Sequence, residues 1–501
     1  MSVPKSAAAY NASAQPSAPR ADSNQFTAVP AVDAPTDLQI GDAVLRQLER
    51  DPGVDTHDIQ VVTVDGIVQL SGTVDDLLSK ERIARVAETV RGVRAVSNLV
   101  RLNVPKRDDR MIASDVSNAL HLNAATESLR IVPTSYGGTV TLMGTVSSWQ
   151  EKQLAERITK GVRGVTGIED HIDVKYSTSR SDPQMATDVE SRLMWDMLVD
   201  DDRISATVEG GKVFLRGQVG SAAERSRAYA DAWVTGVQSV DVSELVVNPS
   251  MRNPDVRLPS EVHPSDPDIA QAIMDAAVYD PRVSSTEIRP EVVAGIVTLR
   301  GIVDDLQAKL AAESIARHTV GVVDVRDRIQ VKSQQPVTDQ QKAERIRDAL
   351  AIDPVTDDDD VRVDVDNGVA VLRGAVGTYL ESAEATQLAA GVRGISSVDN
   401  QLNVKRPGAG YRGSASMYDP YVESWTYIPR KVIHSDAKIA RDIENELAST
   451  PFVDENAISV QVRGGTATLT GTVSNWKQRS AASRDAFAGG AVAVDNELQV
   501  K

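Results

Sequence analysis

The sequence predicts an α+β protein built as a tandem modular array of six small αββαβ domains. Three observations carry that prediction. First, a pattern G-x-V-x-L-x-G-x-V stands at Gly66 to Val74 and recurs at Gly138–Val146, Gly211–Val219, Gly295–Val303, Gly368–Val376 and Gly465–Val473. Its apolar positions alternate, the period-2 mark of a half-buried strand. Second, the opening glycine follows a residue suited to positive φ in Asp65-Gly66, Gly137-Gly138, Gly210-Gly211, Asn367-Gly368 and Gly464-Gly465. Such dipeptides form hairpin turns, so an earlier strand pairs with each motif strand. Ala294-Gly295 is the weaker signal of the set. Third, the second glycines at Gly72, Gly144, Gly217, Gly301, Gly374 and Gly471 recur at intervals that divide the 501 residues into repeats. Units of roughly 70 residues result, within the ordinary domain range.

Residues 1–35 are Ala/Ser/Pro-rich and aperiodic, which predicts a disordered leader. Domain one follows over 36–104. Ile40, Val44, Leu45 and Leu48 repeat at helical spacing before the Asp51-Pro52-Gly53 stop. Ile59 to Val64 and the motif then form a hairpin, and Asp75 or Asp76 caps a second helix bearing Leu78, Ile83, Val86 and Val90. Gly92 ends that helix ahead of a last strand from Val96 to Val104. The same order repeats over 107–175, 181–248, 265–333, 338–405 and 435–501. Pro249, Pro254, Pro259 and Pro264 make 249–264 an extended spacer. A longer linker spans 406–434. The short joins predict packing between domains one and two, two and three, and four and five.

Composition narrows the function. Aromatic residues are 4% of the chain, so the cores rest on Val, Ile, Leu and Ala, and domains this small are individually marginal. A net charge of −17 opposes general binding to nucleic acid. With no cysteine, disulfides and thiolate metal sites are excluded. No apolar run approaches a membrane span, and the first residues carry no secretory core, so the chain as written reads as cytoplasmic. The alternative is the periplasm or cell envelope, if the start is incomplete or a signal was removed.

The αββαβ unit, its G-x-V-x-L-x-G-x-V strand and a helix ending in V-x-G-V together resemble the BON domain, named for bacterial osmotic-stress and nodulation proteins. The helix-ending element reads Val90-Arg91-Gly92-Val93, Val162-Arg163-Gly164-Val165, Val234-Thr235-Gly236-Val237, Val320-Gly321-Val322 and Val392-Arg393-Gly394-Ile395. Domain six departs from it with Ala488-Gly489-Gly490-Ala491. The resemblance implies a bacterial, non-enzymatic protein linked to osmotic or envelope stress, with phospholipid surfaces as a proposed ligand. It supplies no catalytic motif.

The residues agree with a non-enzyme. His57, His121, His171, His263, His318 and His434 occupy unlike positions and form no H-E-x-x-H or H-x-x-H set. No catalytic residue, cofactor or metal is called for. Before Gly368, Val363 fills the first ligand position of an EF-hand loop, so Asp366-Asn367-Gly368 reads as a hairpin turn after the solvated run Asp357 to Asp360. Gly161-Val162-Arg163-Gly164 and Gly391-Val392-Arg393-Gly394 resemble the GXXG loop of KH domains, yet they close a helix before a strand, and nucleic acid is not an expected partner. The turn glycines are read as structural, and the second glycines as sites of close approach by a helix or a bulge.

Interaction candidates are of two kinds. Five residues past each second glycine stand Leu77, Trp149, Ala222, Leu306, Tyr379 and Trp476. They are either staples that fix helix entry or, for Trp149 and Trp476, exposed anchors. The 406–434 linker gathers Tyr411, Tyr418, Tyr421, Trp425 and Tyr427 with Arg430 and Lys431. It either folds back onto its neighbours or docks a partner. The expected function is a stress-associated scaffold whose repeated domains make multivalent protein contacts or self-associate. The alternative is a peripheral phospholipid binder.

Overall fold

A computed structural model describes residues 35–51, 58–248, 264–283, 287–332, 337–356, 360–377, 379–404, 435–450, 453–473, 476–491 and 493–500. Each repeat contributes two helices: α1 (Asp37–Arg50) and α2 (Leu77–Glu88), α3 (Asp109–Leu122) and α4 (Trp149–Lys160), α5 (Asp182–Trp195) and α6 (Ala222–Asp231), α7 (Asp266–Val278) and α8 (Leu306–Arg317), α9 (Asp339–Ile352) and α10 (Tyr379–Ala390), and α11 (Asp436–Ser449) and α12 (Trp476–Ala488). The predicted α+β repeat is therefore present.

Domain two illustrates the sheet. Arg130–Tyr136 pairs antiparallel with Thr139–Val146, and α4 then carries the chain over to Gly167–Val174, which pairs parallel on the other side. The motif strand is thus central. Its inward residues Val140 and Leu142 are fully buried against Ile112, Val116 and Leu120 of α3. In domain one the same roles fall to Val68 and Leu70 against Ile40, Val44 and Leu48. Of the predicted domain-one helix faces, only Leu45 is less than buried.

Two local devices hold each repeat in register. The hairpin turns have positive φ at both central residues, as at Asp65 (51°) and Gly66 (72°). Ala294 adopts the same conformation at 51°, so the fourth hairpin matches the others despite its weaker sequence. What holds it is a carboxylate. Asp266, in the first turn of α7, accepts hydrogen bonds from the backbone N–H groups of Ala294 (2.8 Å) and Gly295 (3.0 Å). Asp37, Asp109, Asp182, Asp339 and Asp436 do the same for their own turns. These bonds, led by the one from Gly138, hold the Asp109 carboxyl below its ordinary 3.8.

The second device concerns the second glycines. The close approach there is made by the partner strand: a Cβ on Gly217 would fall on the Arg203 carbonyl oxygen, and one on Gly374 on that of Asp360. Neither a helix nor an inserted residue is the cause, because the antiparallel register runs through Gly217 opposite Ile204.

Candidate functional site

The second-helix entry residues meet other domains. Leu77 of domain one packs against the core of domain two. Trp149 of domain two stacks on Trp233 of domain three, with ring centroids 4.9 Å apart and planes 4° from parallel, and Tyr229 sits edge-on to both. Ala222 of domain three lies within the core cluster of domain one and donates its N–H to Val93 (3.3 Å). Domains one, two and three therefore close a ring of contacts. One side-chain position, varied from Leu to Trp to Ala, serves all three.

The helix ends make a second set of contacts. Asn123 of domain two bridges antiparallel to Val392 of domain five, and Asp196 of domain three bridges in the same way to Thr319 of domain four. Arg393, inside the V-x-G-V element of domain five, reaches Glu127 of domain two (2.9 Å), Asp304 of domain four (2.5 Å) and the Ala124 carbonyl (3.3 Å). In domain one the equivalent Arg91 meets Glu455 of domain six at 3.4 Å. These arginines were legible in the sequence as the variable residue of a repeated motif. Their partners were not.

Titratable groups collect at one of these contacts. Asp196, which closes α5, pairs with Arg227 of α6 at 2.5 Å, and Arg192 pairs with Asp231 at 2.7 Å. His318 of domain four lies across the contact, its carbonyl accepting the Met197 N–H at 3.0 Å. Burial and the neighbouring Asp196 charge push Asp231 up to about 7. Asp196 is buried too, but Arg227 and its hydrogen bonds outweigh that and bring it to about 2. A raised carboxylate contributes stability that is complete below its unfolded value of 3.8 and is lost as pH rises through about 7. Glu156 and Asp353, each pushed up to about 7 chiefly by burial, act in the same direction. The thermal midpoint is therefore expected to fall between about pH 4 and pH 7 and to level off above that, and Asp231→Asn should make the fall shallower. A midpoint independent of pH over that interval would contradict the assignment.

Among the described residues, open pockets lie between the helices. One of about 260 Å³ is lined from domains two, four and five, and another of about 440 Å³ from domains two, three and four. Among the described residues there is no cluster of His, Asp or Glu able to hold a metal ion. None of their helices is long and apolar enough to cross a membrane.

Comparison with known families matches the BON domain to residues 36–103, 108–176, 181–249, 265–333, 338–406 and 435–501. The chain belongs to the BON domain family. Among its relatives, the outer membrane lipoprotein DolP of Haemophilus influenzae is 28% identical over 138 residues, which span 26% of this chain and 72% of DolP. Osmotically-inducible protein Y of Escherichia coli is 27% identical over 143 residues, 27% of this chain and 71% of its own. A solved structure of CdsD, a structural protein of the Chlamydia trachomatis type III secretion system, aligns with 44% of this chain and 92% of its own. Its identity is 17% and its TM-score 0.12.

The interaction residues expected from the sequence fall unevenly on these BON domains. Trp149 is half-buried in the stack between domains two and three. Trp476 opens α12. Tyr411, Tyr418, Tyr421, Trp425, Tyr427, Arg430 and Lys431 lie outside the described residues, as do Asp357 to Asp359.

What sequence reasoning missed is the outer face of the sheets. On domain one Val64 pairs across the hairpin with Ile67, beside Val62, and all three are exposed. On domain two Val132 pairs with Met143, and Tyr136 is 88% exposed. On domain four Val293 and Ile302 are exposed as well. The signal was present as apolar residues on both faces of the first two strands. Period-2 reasoning assigns one face to water and so passes over it.

Proposed function

We propose that this BON array is a non-enzymatic, stress-associated scaffold that binds protein partners multivalently through the outer faces of its sheets. The observation that supports this most directly is that the hairpins of domains one and two each expose an apolar cross-strand pair, Val64–Ile67 beside the turn in one and Val132–Met143 further from it in the other. The helix-entry residues Leu77, Trp149 and Ala222 are engaged in contacts between domains, whereas these sheet residues are open. Each patch is too small for tight binding alone. Covalent linkage raises the effective concentration of the others and turns weak contacts into avidity. The name of one relative, an outer membrane lipoprotein, favours the cell envelope over the cytoplasm as the place of action.

The test uses a reduced, unfolded model protein as client and follows its aggregation by light scattering. The full chain is expected to suppress aggregation. A variant carrying Val64→Ser, Val132→Ser and Met143→Ser should lose most of that effect with its circular dichroism unchanged. Sedimentation velocity over a range of concentrations separates self-association from client binding. Equal suppression by the variant would sink the proposal. Salt-sensitive co-sedimentation with anionic vesicles, absent with zwitterionic ones, would move the function to a phospholipid surface instead.

A further inference from the structure

One contact between helix ends pairs the domains from the middle of the array outwards. Between three and four, Asp196 bridges to Thr319: the Met197 N–H donates to the His318 carbonyl and the Val320 N–H to the Trp195 carbonyl, both at 3.0 Å. Trp195 packs against the core of domain four, and Tyr279, which caps α7, packs in turn against that of domain three. Between two and five, Asn123 bridges to Val392, and from the other side the Arg163 N–H donates to the Ile352 carbonyl at 3.0 Å. Between one and six, Arg91 meets Glu455 beyond the end of α11, as Arg393 meets Glu127 beyond the end of α3. Arg46 of α1 and Glu446 of α11 pair at 3.5 Å in the same contact.

In the two inner pairs each domain lays the end of its first helix on the turn after its partner's second, and receives the same in return. Such a contact is self-complementary, as in an isologous dimer. Backbone groups make the bridge, and the side chains there differ, Asn123 with Val392 in one pair and Asp196 with Thr319 in the other. The shape recognised is therefore that of the repeat, and the partner that fits it is another BON domain. The outer pair is tied less closely. No backbone bridge joins one and six among the described residues, and Arg91 and Glu455 are 20% and 23% exposed. Residues 332–338 are all that separate the last strand of domain four from α9, but residues 405–435 separate that of domain five from α11. A long join ties domain six less firmly to one partner. We propose that the end of α1 and the Arg91-Gly92 turn form a docking surface for a BON domain, filled by domain six of the same chain and open by exchange to domain six of a second copy.

A protease site placed within 406–434 of the full chain tests this. After the cut, domain six is expected to co-elute with the rest at roughly 20 μM, with circular dichroism unchanged. When isotope-labelled cut protein is mixed with unlabelled cut protein, native mass spectrometry should find complexes of mixed mass, the mark of exchange. Arg91→Glu should weaken docking roughly tenfold, and adding Glu455→Arg should restore most of it. If Arg91→Glu does not fold, Glu455→Arg alone makes the same test from the other side. Elution of domain six away from the rest would overturn the proposal. So would retention with no mixed complexes, which makes the contact permanent, or equal docking in all the variants, which places it elsewhere.

Discussion

Gly217→Ala is expected to unfold domain three, whereas Gly210→Ala in the preceding hairpin turn is expected to cost only about 1 kcal/mol. Both glycines have positive φ, 127° and 58° respectively. They differ in what surrounds them. A Cβ on Gly210 meets nothing within 4 Å, while one on Gly217 falls on the carbonyl oxygen of Arg203 in the neighbouring strand. That oxygen belongs to the backbone and cannot rotate away, so relief requires the strands to part. A strained φ alone costs about 1–3 kcal/mol, and loss of ladder bonds adds to it. A domain of this size has little stability in reserve. Urea unfolding followed by tryptophan emission, with Trp149, Trp425 and Trp476 replaced by Phe, reports on domain three through Trp195 and Trp233. Two variants with the same midpoint would show that the carbonyl approach is not what excludes a side chain.

Arg393→Ala is expected to release domain five from domains two and four while leaving each fold intact. The guanidinium is 12% exposed and serves Glu127, Asp304 and the Ala124 carbonyl together. Removing one partner of a buried ion pair leaves uncompensated charge. Here the carboxylates are about a quarter exposed, at 24% and 28%, so solvent recovers part of the loss. Docking should weaken by about 2–4 kcal/mol. Arg393→Lys should rescue little, because an ammonium cannot reproduce a planar fork that bonds to two carboxylates at once. The check is small-angle scattering with hydrogen exchange at the Ala124 amide, which donates to Gly391 across the same contact. An unchanged radius together with unchanged exchange would show that Arg393 does not carry the docking.

The repeat, the strand alternation and the turn dipeptides were readable because each rests on residues close together in the chain. Short-range sterics set the left-handed turn at Asp65-Gly66, and period-2 burial sets which face Val68 and Leu70 present. The αββαβ order and membership of the family followed from those local signals recurring six times. The Asp37-to-Gly66 tie was written there as well, an aspartate at a constant distance ahead of every turn, but its meaning depends on a helix start lying beside a hairpin.

Other features had no local signature. That Trp149 meets Trp233 and that Arg393 finds Glu127 are consequences of how domains dock. Docking selects partners far apart in sequence by complementary shape and charge, and neither leaves a period in the chain. Six BON domains and the hairpin at the front of each were readable from the chain, while the register of the last, parallel strand was not. The contacts between domains were set by the tertiary structure, because side chains such as Trp149 and Arg393 find partners that only the packed chain brings within reach.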